Sequence, residues 1–175
     1  MNRRWSGTSR AYLPGMHIRL LTSLFPLFIC ACSSGPPVTN GAGQAIVVPS
    51  GWVEVASNCN FSFRAPKDLV RNDVKGIDSC VGSHKSESLT FSYDYGRYSN
   101  SLSGYNAKPN FSESNVLIDG TPAKLVACDS EAGRFVGIYV ANDGRGQKLE
   151  ASIFCSTKGA CEDTARTILS TITWK

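Results

Sequence analysis

The stretch AKLVACDSEAGRFVGIYVANDGRGQKLEASIFC, residues 123–155, decides the fold of this chain. It contains three runs rich in β-branched and aromatic residues, separated by the turn sequences DSEAG (129–133) and NDGRG (142–146). Runs of this composition between glycine-containing turns predict consecutive antiparallel strands. We therefore expect a three-stranded meander built from residues 123–128, 135–141 and 148–155.

Elements on either side of the meander complete the predicted domain. Residues 52–56 and 60–64 form short alternating runs that predict an opening hairpin. Residues 88–95 alternate strictly, which places Leu89, Phe91, Tyr93 and Tyr95 on one face of a strand. Residues 161–169 fit a helix with an apolar inner stripe. The sequence thus predicts an α+β fold in which a mostly antiparallel sheet, with one face wet or lightly covered, is packed by at least one helix.

The first 31 residues have the features of an export signal. The apolar run LLTSLFPLFI (20–29) is about half the roughly 20 residues that a membrane-spanning helix needs. The sequence after it, Cys30-Ala31-Cys32, resembles a bacterial lipobox and implies Cys32 as the acceptor of lipid and of acyl chains such as palmitate. An ordinary secretory signal is the alternative. A start at Met16 would give a leader of the usual length.

The chain accordingly divides into three parts. Residues 1–31 are expected to be the signal peptide, residues 32–44 the lipidated cysteine with a flexible tether, and residues 45–175 a single α+β domain. Ser33, directly after the acceptor, favours the outer membrane, with the domain facing the periplasm. The chain holds 18 basic and 14 acidic residues, but four arginines lie in the leader, which leaves 14 of each. A neutral domain argues against a nucleic acid partner.

The order of three motifs resembles the PsbP-like fold, which includes bacterial lipoproteins of the DcrB-like kind. The motifs are FSFRAPKD (61–68), IDGTPA (118–123) and ILSTI (168–172). The resemblance implies an antiparallel sheet with packing helices, in an envelope lipoprotein with a binding or accessory role. It implies no catalytic residue.

Five cysteines remain in the expected domain. In an exported protein disulfides are the default interpretation. We favour a bridge from Cys155 to Cys161, because a short loop joins a strand to a helix there, and one from Cys59 to Cys80. Cys128 is then an unpaired, buried residue. Other pairings stay open at this stage.

Catalytic and metal-binding patterns are missing from the sequence. His84, the only histidine outside the leader, lies in the polar sequence GSHKS and is expected to be a solvated loop residue. A zinc site lacks a C-x-x-C pair, and no nucleotide-binding or hydrolase motif is present. We therefore expect no catalytic residue, metal or cofactor.

The most distinctive segment is YDYGRYSN (93–100), followed by a polar loop to residue 110. Tyrosine, arginine and small polar side chains are typical of recognition surfaces. The candidate binding residues are Asp94, Arg97, Tyr98 and Tyr105.

Our first hypothesis is a non-catalytic envelope lipoprotein that is attached to the membrane by its lipid and binds an envelope protein through this loop. One alternative is a small-ligand carrier or enzyme with a pocket near His84 and Asp94. Another is a periplasmic immunity or inhibitor lipoprotein that neutralises a toxin.

Overall fold

The computed structural model describes residues 46–156 and 161–175. The expected signal peptide, the lipidation site Cys32 and the tether lie outside these residues, as do residues 157–160. The described part contains ten strands, one α-helix and one 3₁₀ helix. None of its helices is long and apolar enough to cross a membrane.

The elements follow one another along the chain in this order. The strands are β1 (Val53–Ala56), β2 (Phe61–Ala65), β3 (Val70–Asn72), β4 (Cys80–Lys85), β5 (Leu89–Gly96), β6 (Ser112–Ile118), β7 (Thr121–Ser130), β8 (Gly133–Val140), β9 (Lys148–Cys155) and β10 (Thr173–Trp174). The 3₁₀ helix (Ser103–Tyr105) lies between β5 and β6, and the α-helix α1 (Glu162–Ser170) lies between β9 and β10.

The strands form two sheets. The large sheet has the order β3-β4-β5-β9-β8-β7-β6 and is antiparallel throughout, while β1, β2 and β10 form a small antiparallel sheet. The predicted meander is confirmed as β7, β8 and β9, and the opening hairpin as β1 and β2. The α+β, sheet-rich architecture is also confirmed. The hairpin, however, lies in the small sheet, because its outer partner is the carboxyl-terminal strand β10.

The main core lies between the large sheet on one side and β2 and α1 on the other. Phe63 in β2 packs against Phe91 in β5 with ring centroids 4.7 Å apart, and Phe61 packs against Tyr93 at 5.0 Å. We call this side of the large sheet its inner face. The helix contributes the stripe that the sequence predicts, Ala165, Ile168 and Leu169. Burial of each large apolar side chain stabilises the fold by about 1.5–3 kcal/mol.

The opposite, outer face of the large sheet is partly covered as well. Leu102 in the loop after β5 packs with Val126, Cys128 and Phe135, which project from β7 and β8. This is a second, smaller core. This agrees with the expectation of a face that is wet or lightly covered, because the loop between β5 and β6 folds back onto β7 and β8.

Two disulfides join parts of the fold that regular hydrogen bonding leaves separate. Cys59 pairs with Cys80 and connects the turn between β1 and β2 to the beginning of β4. Cys155 pairs with Cys161 and connects the end of β9 to the residue before α1. Both are the pairs favoured from the sequence. Cys128 is free and fully buried, and burial raises the pKa of its thiol, as expected for a small apolar residue.

Candidate functional site

The loop after β5 is held at two points. The Ser99 hydroxyl donates to the backbone carbonyl of Asp94 at 2.9 Å. The Leu102 backbone N–H donates to the side-chain oxygen of Asn100 at 3.0 Å. Leu102 is 1% exposed and adopts a left-handed backbone conformation with φ 61°. Ser99 and Leu102 are both buried. Tyr98, the residue before Ser99, instead projects into solvent with 81% of its surface exposed.

The four candidate binding residues do not form one surface. Arg97 and Tyr98 are exposed at the beginning of the loop. Tyr105 instead stacks on Phe135, with ring centroids 4.0 Å apart and planes at 11°, so it belongs to the second core. Burial raises the pKa of Tyr105, and the nearby charge of Glu150 adds to the effect. Of the four candidates, only Arg97 and Tyr98 thus have exposed side chains that a partner could contact.

Asp94, the fourth candidate, lies within β5 and faces Glu150 of β9 across the outer face. Burial raises the pKa of Glu150, and the neighbouring Asp94 carboxylate raises it further. Two carboxylates alone make no metal centre. Within residues 46–156 and 161–175, no group of three or more potential metal ligands comes together.

His84 is not a solvated loop residue, which corrects the sequence-based expectation. It lies in β4, is 3% exposed, and its Nδ1 has no hydrogen-bond partner. Its ring lies 5.3 Å from that of Phe63 and 6.1 Å from that of Phe91. Burial lowers the pKa of His84, and the positive charge of Arg71 lowers it further. The side chain is therefore a neutral member of the aromatic core.

A shared pocket for His84 and Asp94 is incompatible with the sheet. His84 pairs with Phe91, whose side chain points to the inner face, whereas Asp94 pairs with Val81 and points to the outer face. Side chains of adjacent strands that point to opposite faces cannot converge on one ligand. The structure therefore does not bring these two residues together.

The structure also contains a concave surface that the sequence did not indicate. It is an open groove of about 600 Å³ on the inner face, between β6 and β7 on one side and α1 on the other. Its floor is apolar and includes Val116, Ile118, Leu125 and Ile138. We call it the β6–α1 groove. Its volume is within the range of pockets that bind ligands in proteins.

The helical wall of the groove is held in place by a chain of ion pairs. Arg134 in β8 donates from Nε to Glu162 at 2.8 Å, and Glu162 accepts from Arg166 one turn later at 2.7 Å. The hydrogen bond from Arg134 lowers the pKa of Glu162. Together with the Cys155–Cys161 disulfide, this network fixes the first turn of α1. The wall is therefore rigid where it meets the sheet.

The other wall of the groove is an edge of the large sheet. β6 is the last strand in the sheet order, and five of its seven residues are exposed, Leu117 by 36%. This strand is not evident from the sequence, because its first four residues, SESN, carry no apolar alternation. The only alternating apolar pair is Val116 and Ile118, which is too short to predict a strand.

No family model matches this chain, and a search of curated proteins found no match.

Proposed function

We propose that this chain is an exported lipoprotein, anchored through Cys32, whose folded part is a non-catalytic module that binds a protein of the cell envelope. The two disulfides support export, because such bonds persist in oxidising compartments outside the cytoplasm. The neutral charge of the domain supports a protein partner over nucleic acid. Kinship with PsbP-like and DcrB-like lipoproteins and a location at the outer membrane belong to the same proposal.

The observation that carries the binding role is the β6–α1 groove. It combines an apolar floor, a helical wall tied to the sheet and an exposed sheet edge, which are the features used when an extended peptide is recognised at a sheet edge. We place the binding site here rather than on the loop after β5, because that loop turns Tyr105 inward and presents only Arg97 and Tyr98.

Site-directed photocrosslinking in the producing cells tests this assignment. A benzophenone amino acid replaces Thr167 or Ser170, which both line the groove from α1, or Tyr98 as the matched position on the loop. We expect a product of one defined mass from the groove positions and none from Tyr98. A product from Tyr98 alone would move the site to the loop, and the absence of products at all three positions would contradict a binding role.

The anchor is tested separately. Mass spectrometry of the protein from membranes is expected to show a triacylated species that begins at Cys32, and Cys32→Ala is expected to release the chain from the membrane. A soluble, unlipidated wild-type product would refute the lipid anchor but would not affect the proposal that the groove is a binding site.

A further inference from the structure

The turn between β6 and β7 determines which backbone groups of β6 face outward. Asp119 and Gly120, its two central residues, have φ values of 47° and 77°. Two consecutive positive φ angles are the signature of a two-residue type I′ hairpin, in which the flanking residues Ile118 and Thr121 bond to each other. The turn is further held by Asp119, which accepts from the backbone N–H of Trp174 at 2.9 Å.

Alternation then assigns the rest of the strand. In an antiparallel pair every second residue bonds to the neighbouring strand, so Ile118, Val116 and Ser114 bond to β7. The residues between them, Leu117, Asn115 and Glu113, direct their backbone N–H and C=O groups away from β7. Pro122 lies opposite Leu117, a position that requires no N–H toward β6.

These outward groups are not used elsewhere in the described part of the chain. No strand among residues 46–156 and 161–175 pairs with the outer side of β6, and no other backbone hydrogen bond there involves Leu117, Asn115 or Glu113. These three alternate residues thus offer about six hydrogen-bond donors and acceptors in the plane of the sheet.

An added strand would lie over the mouth of the groove. Neighbouring strands are about 4.8 Å apart, and alternate side chains point to the same face. A segment paired with β6 would therefore direct every second side chain to the inner face, toward Val116, Ile118 and Leu169.

The polar side chains of the helical wall are already hydrogen-bonded, which restricts the side chains that the groove can accept. Arg166 is neutralised by Glu162, with Nε and a terminal nitrogen 2.9 Å and 2.7 Å from the same carboxylate oxygen. Thr167 and Ser170 donate to carbonyls of their own helix at 2.8 Å and 2.9 Å. The groove therefore favours uncharged, apolar side chains.

We propose that β6 is a pairing edge for an extended peptide segment of the partner protein, which joins the large sheet beside β6 and places alternate apolar side chains in the β6–α1 groove. This inference rests on the proposed function and adds the chemistry of the partner. Backbone pairing supplies affinity, and the groove supplies the preference for apolar residues at every second position.

The test begins with a phage library of random linear dodecapeptides selected against the purified full-length chain. Enriched peptides are synthesised, and their dissociation constants are measured by fluorescence anisotropy. We expect enriched sequences with apolar residues at every second position. Asn115→Pro removes one outward N–H and blocks the edge, and it is expected to weaken binding at least about ten-fold. The matched control Asn115→Ala keeps the N–H and is expected to bind within about two-fold of wild type.

A second measurement does not depend on folding of the proline variant. The best peptide is N-methylated at its even or at its odd positions and tested against the wild-type chain. We expect one set to abolish binding, because its N–H groups face β6, and the other to be tolerated at the new free edge.

Several results would overturn the inference. These are the absence of any selected peptide, equal binding by Asn115→Pro and Asn115→Ala, or equal tolerance of both methylated peptides. A dimer without peptide that Asn115→Pro dissociates would assign the edge to a second copy of the chain instead. Groove crosslinks at Thr167 together with any of these results would keep the binding role and reject strand pairing, which separates the two proposals.

Discussion

Reduction of one disulfide at a time measures what each covalent link adds to the stability of the domain. The perturbation uses two double variants, each of which retains one bridge. Cys59→Ala/Cys80→Ala keeps the Cys155–Cys161 bridge, and Cys155→Ala/Cys161→Ala keeps the Cys59–Cys80 bridge. Each variant is then compared with itself before and after reduction, so the side chains in the core are the same in both measurements.

The expected magnitudes follow from the loops that the two bridges close. The separations are 21 residues for Cys59–Cys80 and 6 for Cys155–Cys161. The loop-entropy relation gives about 3.3 kcal/mol for the longer loop and about 2.2 kcal/mol for the shorter one, because a link across more residues removes more freedom from the unfolded chain. The longer bridge should therefore be worth more by about 1 kcal/mol.

Urea unfolding followed by tryptophan fluorescence provides the assay, with the free energy of unfolding extrapolated to water. The loop-entropy reasoning would be refuted if reduction of Cys155–Cys161 cost as much as, or more than, reduction of Cys59–Cys80. That order would mean that the short bridge acts mainly in the folded state, by holding the first turn of α1 against β9.

Three further predictions concern individual side chains. Burial and Arg71 lower the pKa of His84 below its ordinary 6.5, so below pH 6.5 the unfolded chain binds more protons than the folded chain. The free energy of unfolding should therefore fall as the pH drops below 6.5. Urea titrations at pH 7.5 and 5.0 should show a smaller fall in His84→Leu than in the wild type. Tyr105→Ala should cost about 2 kcal/mol in urea unfolding through lost burial and stacking, whereas the exposed Tyr98→Ala should change stability by less than about 0.5 kcal/mol; equal effects would contradict the assignment of Tyr105 to the second core. Glu162→Gln should lower thermal stability by about 1–2 kcal/mol because it removes the negative charge that accepts three hydrogen bonds, one from Arg134 and two from Arg166. An unchanged melting temperature would show that this network does not hold α1.

Strands with clear alternation and recognisable turns were predictable from the sequence. The residues of β5 alternate strictly, and those of β7, β8 and β9 are bounded by glycine-containing turns. The inner stripe of α1 was predictable for the same reason, since its period is visible in nine residues. Local pattern alone was enough to give the α+β class.

β4 could not be predicted, because its buried positions are filled by residues that usually mark turns. Gly82 is required there since a Cβ would overlap the ring of Tyr93 on the next strand. His84 is accommodated because aromatic rings from β2 and β5 surround it. Both reasons come from residues that are distant in the sequence, so the local sequence could not show them.

The β6–α1 groove could not be predicted from the sequence for a related reason. Its floor comes from residues near position 120 and its wall from residues near 168, and only the sheet order brings them together. β6 itself, as an edge strand, buries little and therefore carries little apolar pattern. The tyrosines and the arginine of residues 93–105 are visible in the local sequence, whereas the groove forms only through the sheet topology.

The burial of Cys128 has a consequence for how the two disulfides form. Five thiols can form two bridges in fifteen ways, since each choice of unpaired cysteine leaves three connectivities. Cys128 lies in β7, between its two sequence-neighbouring strands, and is closed off on the outer face by Leu102. With Cys128 enclosed by the second core, an oxidant meets four thiols and three connectivities instead of fifteen. In the folded chain the second core thus keeps the odd thiol from exchanging with the two native disulfides.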